Sequence, residues 1–167
     1  MRILLSDLAM RALSKDIARV MGPRPFECVS FEQAVASGRR DFDCAFVSRD
    51  VTGLSTKHEL APSLKACYQV LDESPNLRWV HIHSAGADRD IYVRLKVKGV
   101  QVATSSGANS EVVAQTALAG LLALSRKFPE LVHAMHQKKW APLLGSQLPP
   151  DLAGQTAMLV GWGPIAQ

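Results

Sequence analysis

Cysteine is scarce. Cys28, Cys44 and Cys67 are the three present, an odd number lying in apolar or helical surroundings, which suits buried thiols in a reducing compartment better than a disulfide framework. A cytoplasmic protein is expected. Long hydrophobic runs are also missing: the longest uncharged stretch, Val112 to Ser125, falls about one third short of the roughly 20 apolar residues that a membrane span requires. The N-terminal run Met1 to Leu5 is too short for a signal peptide and meets Asp7 almost at once, so neither export nor a membrane partner is expected. Charge of one sign is not gathered anywhere. The 19 basic and 15 acidic residues, a formal net charge of +4, are scattered without the basic stripe of a nucleic-acid binder, which makes nucleic acid a poor partner. The histidines fall in no metal-ligand spacing with carboxylate or cysteine help, and no metal site is expected.

What is present is an alternation of short β-rich runs with helical patterns. Arg2 to Ser6 reads as a strand, and Leu8 to Met21 as a helix with Leu8, Ala12, Leu13, Ile17 and Val20 at helical spacing, ended by Gly22 and Pro23. A strand over Phe26 to Val29, a short helix over Phe31 to Ser37 closed by Gly38, and a strand over Cys44 to Ser48 follow. Pro62 to Glu73 reads as a helix, Leu77 to His83 as a strand, Asp88 to Lys98 as a basic, exposed helix stopped by Gly99, and Val100 to Thr104 as a fifth strand. Strands separated by helices imply an α/β fold with a doubly wound parallel sheet. Right-handed crossovers then place helices on both faces, and ligands gather beyond the carboxyl ends of the strands.

The rhythm then changes. Asn109 or Ser110 can cap a helix running to about Lys127, and Pro129 starts another that ends near Trp140. Between Val112 and Leu124 only Gln115 and Thr116 are polar. A helix so apolar around its circumference requires cover from a neighbouring domain or a partner subunit, so a homodimer is expected. Gly145 to Pro150 reads as a surface connection.

Three clusters carry candidate chemistry. Thr156 to Val160 reads as an apolar strand entering Gly161-Trp162-Gly163-Pro164-Ile165-Ala166, a GxGxxA pattern. The first glycine permits the tight turn, the second lets the backbone approach a diphosphate, and the small third residue allows close packing of helix on strand. Pro164 suits a first helical turn, and the free amides and dipole of such a helix attract an anion; an ordinary glycine-rich turn fits the same residues. Ser84-Ala85-Gly86-Ala87-Asp88 follows a strand, where small residues leave amides free for a carboxylate, or form a plain turn with Asp88 capping the next helix. Arg49, after another strand, can reach the same crevice through its planar fork or remain a solvated surface arginine. His81 and His83 alternate along one strand and read as edge or core histidines, lacking an acidic partner.

Together these residues resemble the D-isomer-specific 2-hydroxyacid dehydrogenase family, which includes glyoxylate/hydroxypyruvate reductases. The resemblance spans nearly the whole chain. It rests on Leu77-Arg78-Trp79-Val80 leading into Ser84 to Asp88, on Gly107-Ala108-Asn109-Ser110-Glu111-Val112-Val113-Ala114-Gln115, and on Asp151-Leu152-Ala153-Gly154-Gln155-Thr156 leading into the glycine pattern. Ala166 stands where many relatives have a third glycine, and Thr116 where a histidine or aromatic residue is frequent.

The resemblance implies a flavodoxin-like substrate-binding domain over residues 1–104, followed by the start of a Rossmann NAD(P)-binding domain over 105–167 that includes the dimerisation helices. It implies that the amides around Ala85 and Gly86 hold the carboxylate of a small 2-oxoacid or 2-hydroxyacid, and Ser84, Arg49 and Asn109, the last also near the nicotinamide, complete the substrate-binding candidates. Val113, near the nicotinamide, and Gly161, Trp162, Gly163, Pro164, Ile165 and Ala166, at the diphosphate, would serve NAD or NADP. The family's catalytic arginine, glutamate and histidine come from the second half of its cofactor domain, so no catalytic residue is expected among these 167. The chain is expected to be truncated just inside its fingerprint and inactive alone. The competing expectation is a non-catalytic binding or dimerisation module. Asn109 can equally be a simple helix cap and Val113 core filling.

Overall fold

Five apolar runs become strands, each four residues long: β1 (Arg2–Leu5), β2 (Glu27–Ser30), β3 (Cys44–Val47), β4 (Trp79–Ile82) and β5 (Gln101–Thr104). They are seen in a computed structural model that describes residues 1–56 and 58–167. Every neighbouring pair is parallel, and the order is β2-β1-β3-β4-β5. The chain leaves β1 for β2 on one side and then passes to β3 on the other. That reversal is the switch point at which doubly wound sheets open a crevice beyond their carboxyl ends.

Strand ends and helix starts share residues. Ser6, straight after β1, accepts from Ala9 N at 3.0 Å and caps α1 (Asp7–Met21). Ser30 ends β2 and caps α2 (Phe31–Ser37) in a reciprocal box with Gln33. Each side chain satisfies an amide that the helix itself cannot. At the far end of α2, Gly38 takes φ +69°, a left-handed turn in which its amide returns to the carbonyls of Ala34 and Val35. Pro62 opens α4 (Pro62–Asp72), where its missing amide hydrogen costs nothing. The β4–β5 crossover carries α5 (Asp90–Val97).

One continuous core forms on a single face of the sheet. Leu4, Ala45, Val47, Val80 and Ile82 meet Leu64, Val70 and Leu71 of α4, and Ile91 and Leu95 of α5. Right-handed crossovers send α1 to the opposite face. There Phe46, His81 and Trp79 lie in a row, ring centroids 5.7 and 5.8 Å apart, with Trp79 42% exposed.

The chain divides into two compact units, Met1–Ser106 and Gly107–Gln167. The second holds α6 (Ser110–Ser125), α7 (Phe128–His136) and a 3₁₀ turn over Gly145–Gln147, with no buried residue among its described positions.

Several expectations are adjusted. The predicted helix from Asp88 starts later, with Arg89 rather than Asp88 at its cap, and buries Ile91, Tyr92 and Leu95 instead of being exposed all round. A four-residue helix, α3 (Arg49–Thr52), appears where none was predicted. The first long helix of the second unit stops at Ser125, and α7 at His136. The strand expected at Thr156–Val160 does not form. A strand needs a paired neighbour, and the second unit has no other strand among its described residues.

Candidate functional site

The carboxyl ends of β3 and β4 lie side by side, because Val47 pairs with Ile82 and His83 N donates to Val47 O at 3.0 Å. Arg49 therefore leaves the sheet beside the segment that carries Ser84, Ala85 and Gly86. The Ser84 hydroxyl donates to Gly86 O at 3.0 Å and Ser84 O accepts from Ser105 N at 3.1 Å, which folds the loop over the end of β5. Ala85 and Gly86 are exposed, and among the described residues their amides donate to no protein acceptor. Two free amides on a loop of small residues can receive a carboxylate. The backbone at Gly86 is not left-handed, and a Cβ there would only touch Asp88 Oδ1 at 3.6 Å. A side chain at position 86 would be tolerated by the loop itself and would occupy the space that a ligand needs.

Beneath this loop runs a polar network that the sequence pattern did not reveal. Ser6 Oγ and Ser48 Oγ lie 3.1 Å apart at the switch point. Burial pushes Asp50 upward, but hydrogen bonds from Ser48 and Ser6 outweigh it and hold this carboxyl below its usual range. Thr52 Oγ1 donates to Ser48 O at 3.3 Å, so His83 Nε2, 3.0 Å from the same hydroxyl, is the donor to it. Burial, followed by the charges of Arg49 and Arg89, holds His83 below its ordinary pKa, and the ring is neutral at physiological pH. His81, by contrast, bonds Ser105 Oγ at 2.9 Å on the aromatic face, away from Arg49's loop. These contacts join residues 31 and 42 positions apart in sequence, and only the strand order brings them together.

In the second unit Asn109 occupies the cap position of α6 but makes no side-chain capping bond. Its carbonyl accepts from Val113 N at 3.1 Å, while Ser110 Oγ donates to Gly107 O at 2.9 Å. Val113 is half-buried. Gly161 has φ +105°, a conformation that favours glycine. Gly163 to Ala166 close one turn, Ala166 N donating to Gly163 O at 2.9 Å, and Pro164 comes to rest 3.8 Å from where a Cβ on Gly107 would stand. Neither the strand before this turn nor a helix after it is formed. The residues Gly161 to Ala166 thus keep the fingerprint's sequence without the aligned amides that hold a diphosphate, and the geometry here does not fit that group.

A cavity of about 590 Å³ lies elsewhere, between α4 and α5, lined among others by Leu60, Tyr68, Asp72 and Ile91. Ala85 and Gly86 do not border it. Among the described residues no group of His, Cys, Asp or Glu side chains gathers as a metal site, and no helix is long and apolar enough to cross a membrane.

No family model matches the chain. A hydroxypyruvate reductase of Thermotoga maritima is 28% identical over 105 residues, covering 62% of this chain and 33% of that protein. A glyoxylate reductase of Thermofilum pendens is 29% identical over 101 residues, covering 58% and 29%. Among solved structures, the NADPH-dependent glyoxylate/hydroxypyruvate reductase of Sinorhizobium meliloti, in complex with NADP and malonate, is 26% identical with a TM-score of 0.58, covering 99% of this chain and 47% of that one. The chain resembles the D-2-hydroxyacid dehydrogenases. A D-lactate dehydrogenase of Treponema pallidum gives a TM-score of 0.63 at 14% identity, covering 99% and 48%, which speaks for the fold alone. The chain spans about a third of the length of these curated dehydrogenases and about half that of the solved ones.

Proposed function

We propose that residues 1–167 belong to an oxidoreductase that transfers a hydride between NAD or NADP and a small D-2-hydroxyacid or 2-oxoacid of the glyoxylate or hydroxypyruvate kind. Residues 1–104 are its substrate-binding domain and residues 105–167 the start of its NAD(P)-binding domain. The observation that carries this reading is the pair of free amides at Ala85 and Gly86, beside Arg49 at the ends of adjacent parallel strands. That arrangement suits a carboxylate. The similarity to glyoxylate and hydroxypyruvate reductases supports the same substrate class. Ser84 shapes the loop, Asn109 is assigned to the substrate and Val113 to the cofactor, while Gly161 through Ala166 would serve the cofactor's diphosphate only where Thr156–Val160 pairs as a strand and a helix follows the turn, neither of which is formed here.

No residue of this chain is assigned the proton transfer. The histidine that the family uses for it has no counterpart here, and His83 is committed to Thr52. We infer that these residues alone bind substrate without turning it over, that α6 and α7 pair two copies as a homodimer, and that the three free cysteines suit the cytoplasm.

The test is oxidation of NADH or NADPH on adding glyoxylate or hydroxypyruvate to the natural protein that carries these residues. Turnover supports the reading, and Arg49→Gln is expected to raise KM about tenfold with a smaller effect on kcat. Absence of turnover with either cofactor overturns it. The exposed α6 and the unformed fingerprint favour a second reading, a non-catalytic binding or dimerisation module, which turnover by residues 1–167 alone would exclude.

A further inference from the structure

Helix α3 is a single turn, and one turn does not hold itself, because the conformational cost of nucleating a helix exceeds what its few hydrogen bonds supply. Its cap, Ser48, makes no side-chain capping bond. That hydroxyl turns instead to Ser6 Oγ, 3.1 Å away at the end of β1. At the other end Thr52, the last helical residue, donates its hydroxyl to Ser48 O at 3.3 Å and meets His83 Nε2 at 3.0 Å. Ser48 and Thr52 are only 6% and 9% exposed. Buried hydroxyls therefore clamp the turn at both ends, to β1 through Ser6 and to the end of β4 through His83. Arg49 is the first residue inside this clamp. It is exposed, and among the described residues no carboxylate lies within ion-pair distance of it.

His83 belongs to both halves of the candidate site. Its main chain donates to Val47 O and runs directly into Ser84-Ala85-Gly86, the loop of free amides, while its side chain grips the helix that carries Arg49. Burial, with the charges of Arg49 and Arg89, keeps the ring neutral, so its one N–H is given to Thr52. We propose that His83 is a positioning residue for carboxylate binding: through Thr52 it holds α3, and with it Arg49, in fixed register with the loop that presents the Ala85 and Gly86 amides. The proposal rests on the reading of those amides and Arg49 as a carboxylate site. His83 itself touches no ligand. Without its bond the turn is anchored at Ser6 alone, and Arg49 must be ordered again at each binding event, which weakens binding without removing a contact.

The experiment is an amide-resolved NMR titration of the 167-residue chain with glyoxylate, read at Ala85 and Gly86. His83→Ala is expected to weaken binding about tenfold. His83→Gln, whose amide N–H can stand in for Nε2–H, stays within about threefold of the parent. The deciding variant is Arg49→Gln combined with His83→Ala, which binds no more weakly than Arg49→Gln alone, because His83 acts only through Arg49. A histidine that merely supported the fold would give losses that add. Should His83→Ala fail to fold, Thr52→Val removes the same bond from its other end, and the same comparison with Arg49→Gln is made on it. If binding survives loss of the bond at full strength, or the losses add, the proposal is overturned and the carboxylate site stands. If glyoxylate shifts neither Ala85 nor Gly86 in the parent chain, the carboxylate site falls and overturns the proposal with it.

Discussion

Of the residues in α4, Leu64, Cys67, Tyr68, Val70 and Leu71 are buried, whereas α6, longer and more apolar, buries none. The contrast separates hydrophobicity from burial. In α4 the apolar residues form a stripe that one sheet face can cover, with the polar residues left to water. In α6 they surround the helix, so that Leu118 is 58% exposed and Leu124 71% within this chain. The first unit supplies its own cover. The second presents apolar surface of the kind that marks association.

That contrast can be tested from its strongest effect downward. Leu71→Ala should cost about 2–5 kcal/mol, the range for emptying a fully buried leucine site, whereas Leu122→Ala in α6 should cost under about 1 kcal/mol. Urea unfolding of both variants decides it, and equal costs would erase the distinction. Next, Leu121→Lys with Leu124→Lys should weaken self-association about tenfold or more by sedimentation, with unit 1 unfolding unchanged. Unaltered association would overturn the proposal that α6 pairs two copies.

Capping provides a smaller measure of the same contrast. Ser30→Ala breaks a reciprocal box and should cost about 1 kcal/mol, while Asn109→Ala, whose side chain caps nothing, should cost a few tenths at most. Thermal melts of the two variants give the comparison. The smallest effect is electrostatic. Asp72 is held below the usual carboxylate range first by the Lys98 ammonium at 2.7 Å, burial opposing, and then by the charges of Lys98 and Arg94. A depressed folded-state pKa gives stability that is present above the ordinary carboxylate range and lost as pH falls through the folded value. Asp72→Asn should therefore lower stability by up to about 1 kcal/mol at neutral pH and by almost nothing at about pH 3, read from urea midpoints at both.

The sheet was legible because each strand is a short apolar run bounded by turn residues, and α2 because Ser30 and Gln33 stand at capping-box spacing. Arg49 and Ser84 to Gly86 could be assigned to a crevice because both follow strands, and doubly wound sheets gather ligands there. Other features depend on distant pairing. The apolar pattern at Thr156–Val160 announces a strand, but pairing is a property of neighbours. Helix α3 is one turn long, too short for any periodicity to betray it. Ser6, Ser48 and Asp50, or Thr52 and His83, share no local signature, and Arg89 stood in a segment where Asp88 was the expected cap.

Two bonds tie the β3–α4 and β4–α5 connections together, His83 to Thr52 and Arg89 to Ser55. Segments riveted at two points open to solvent as one leaf rather than two, so protection from amide exchange should rise and fall in concert across both. A molecule that touched Gly86 alone would then quieten Thr52 as well, without ever reaching it.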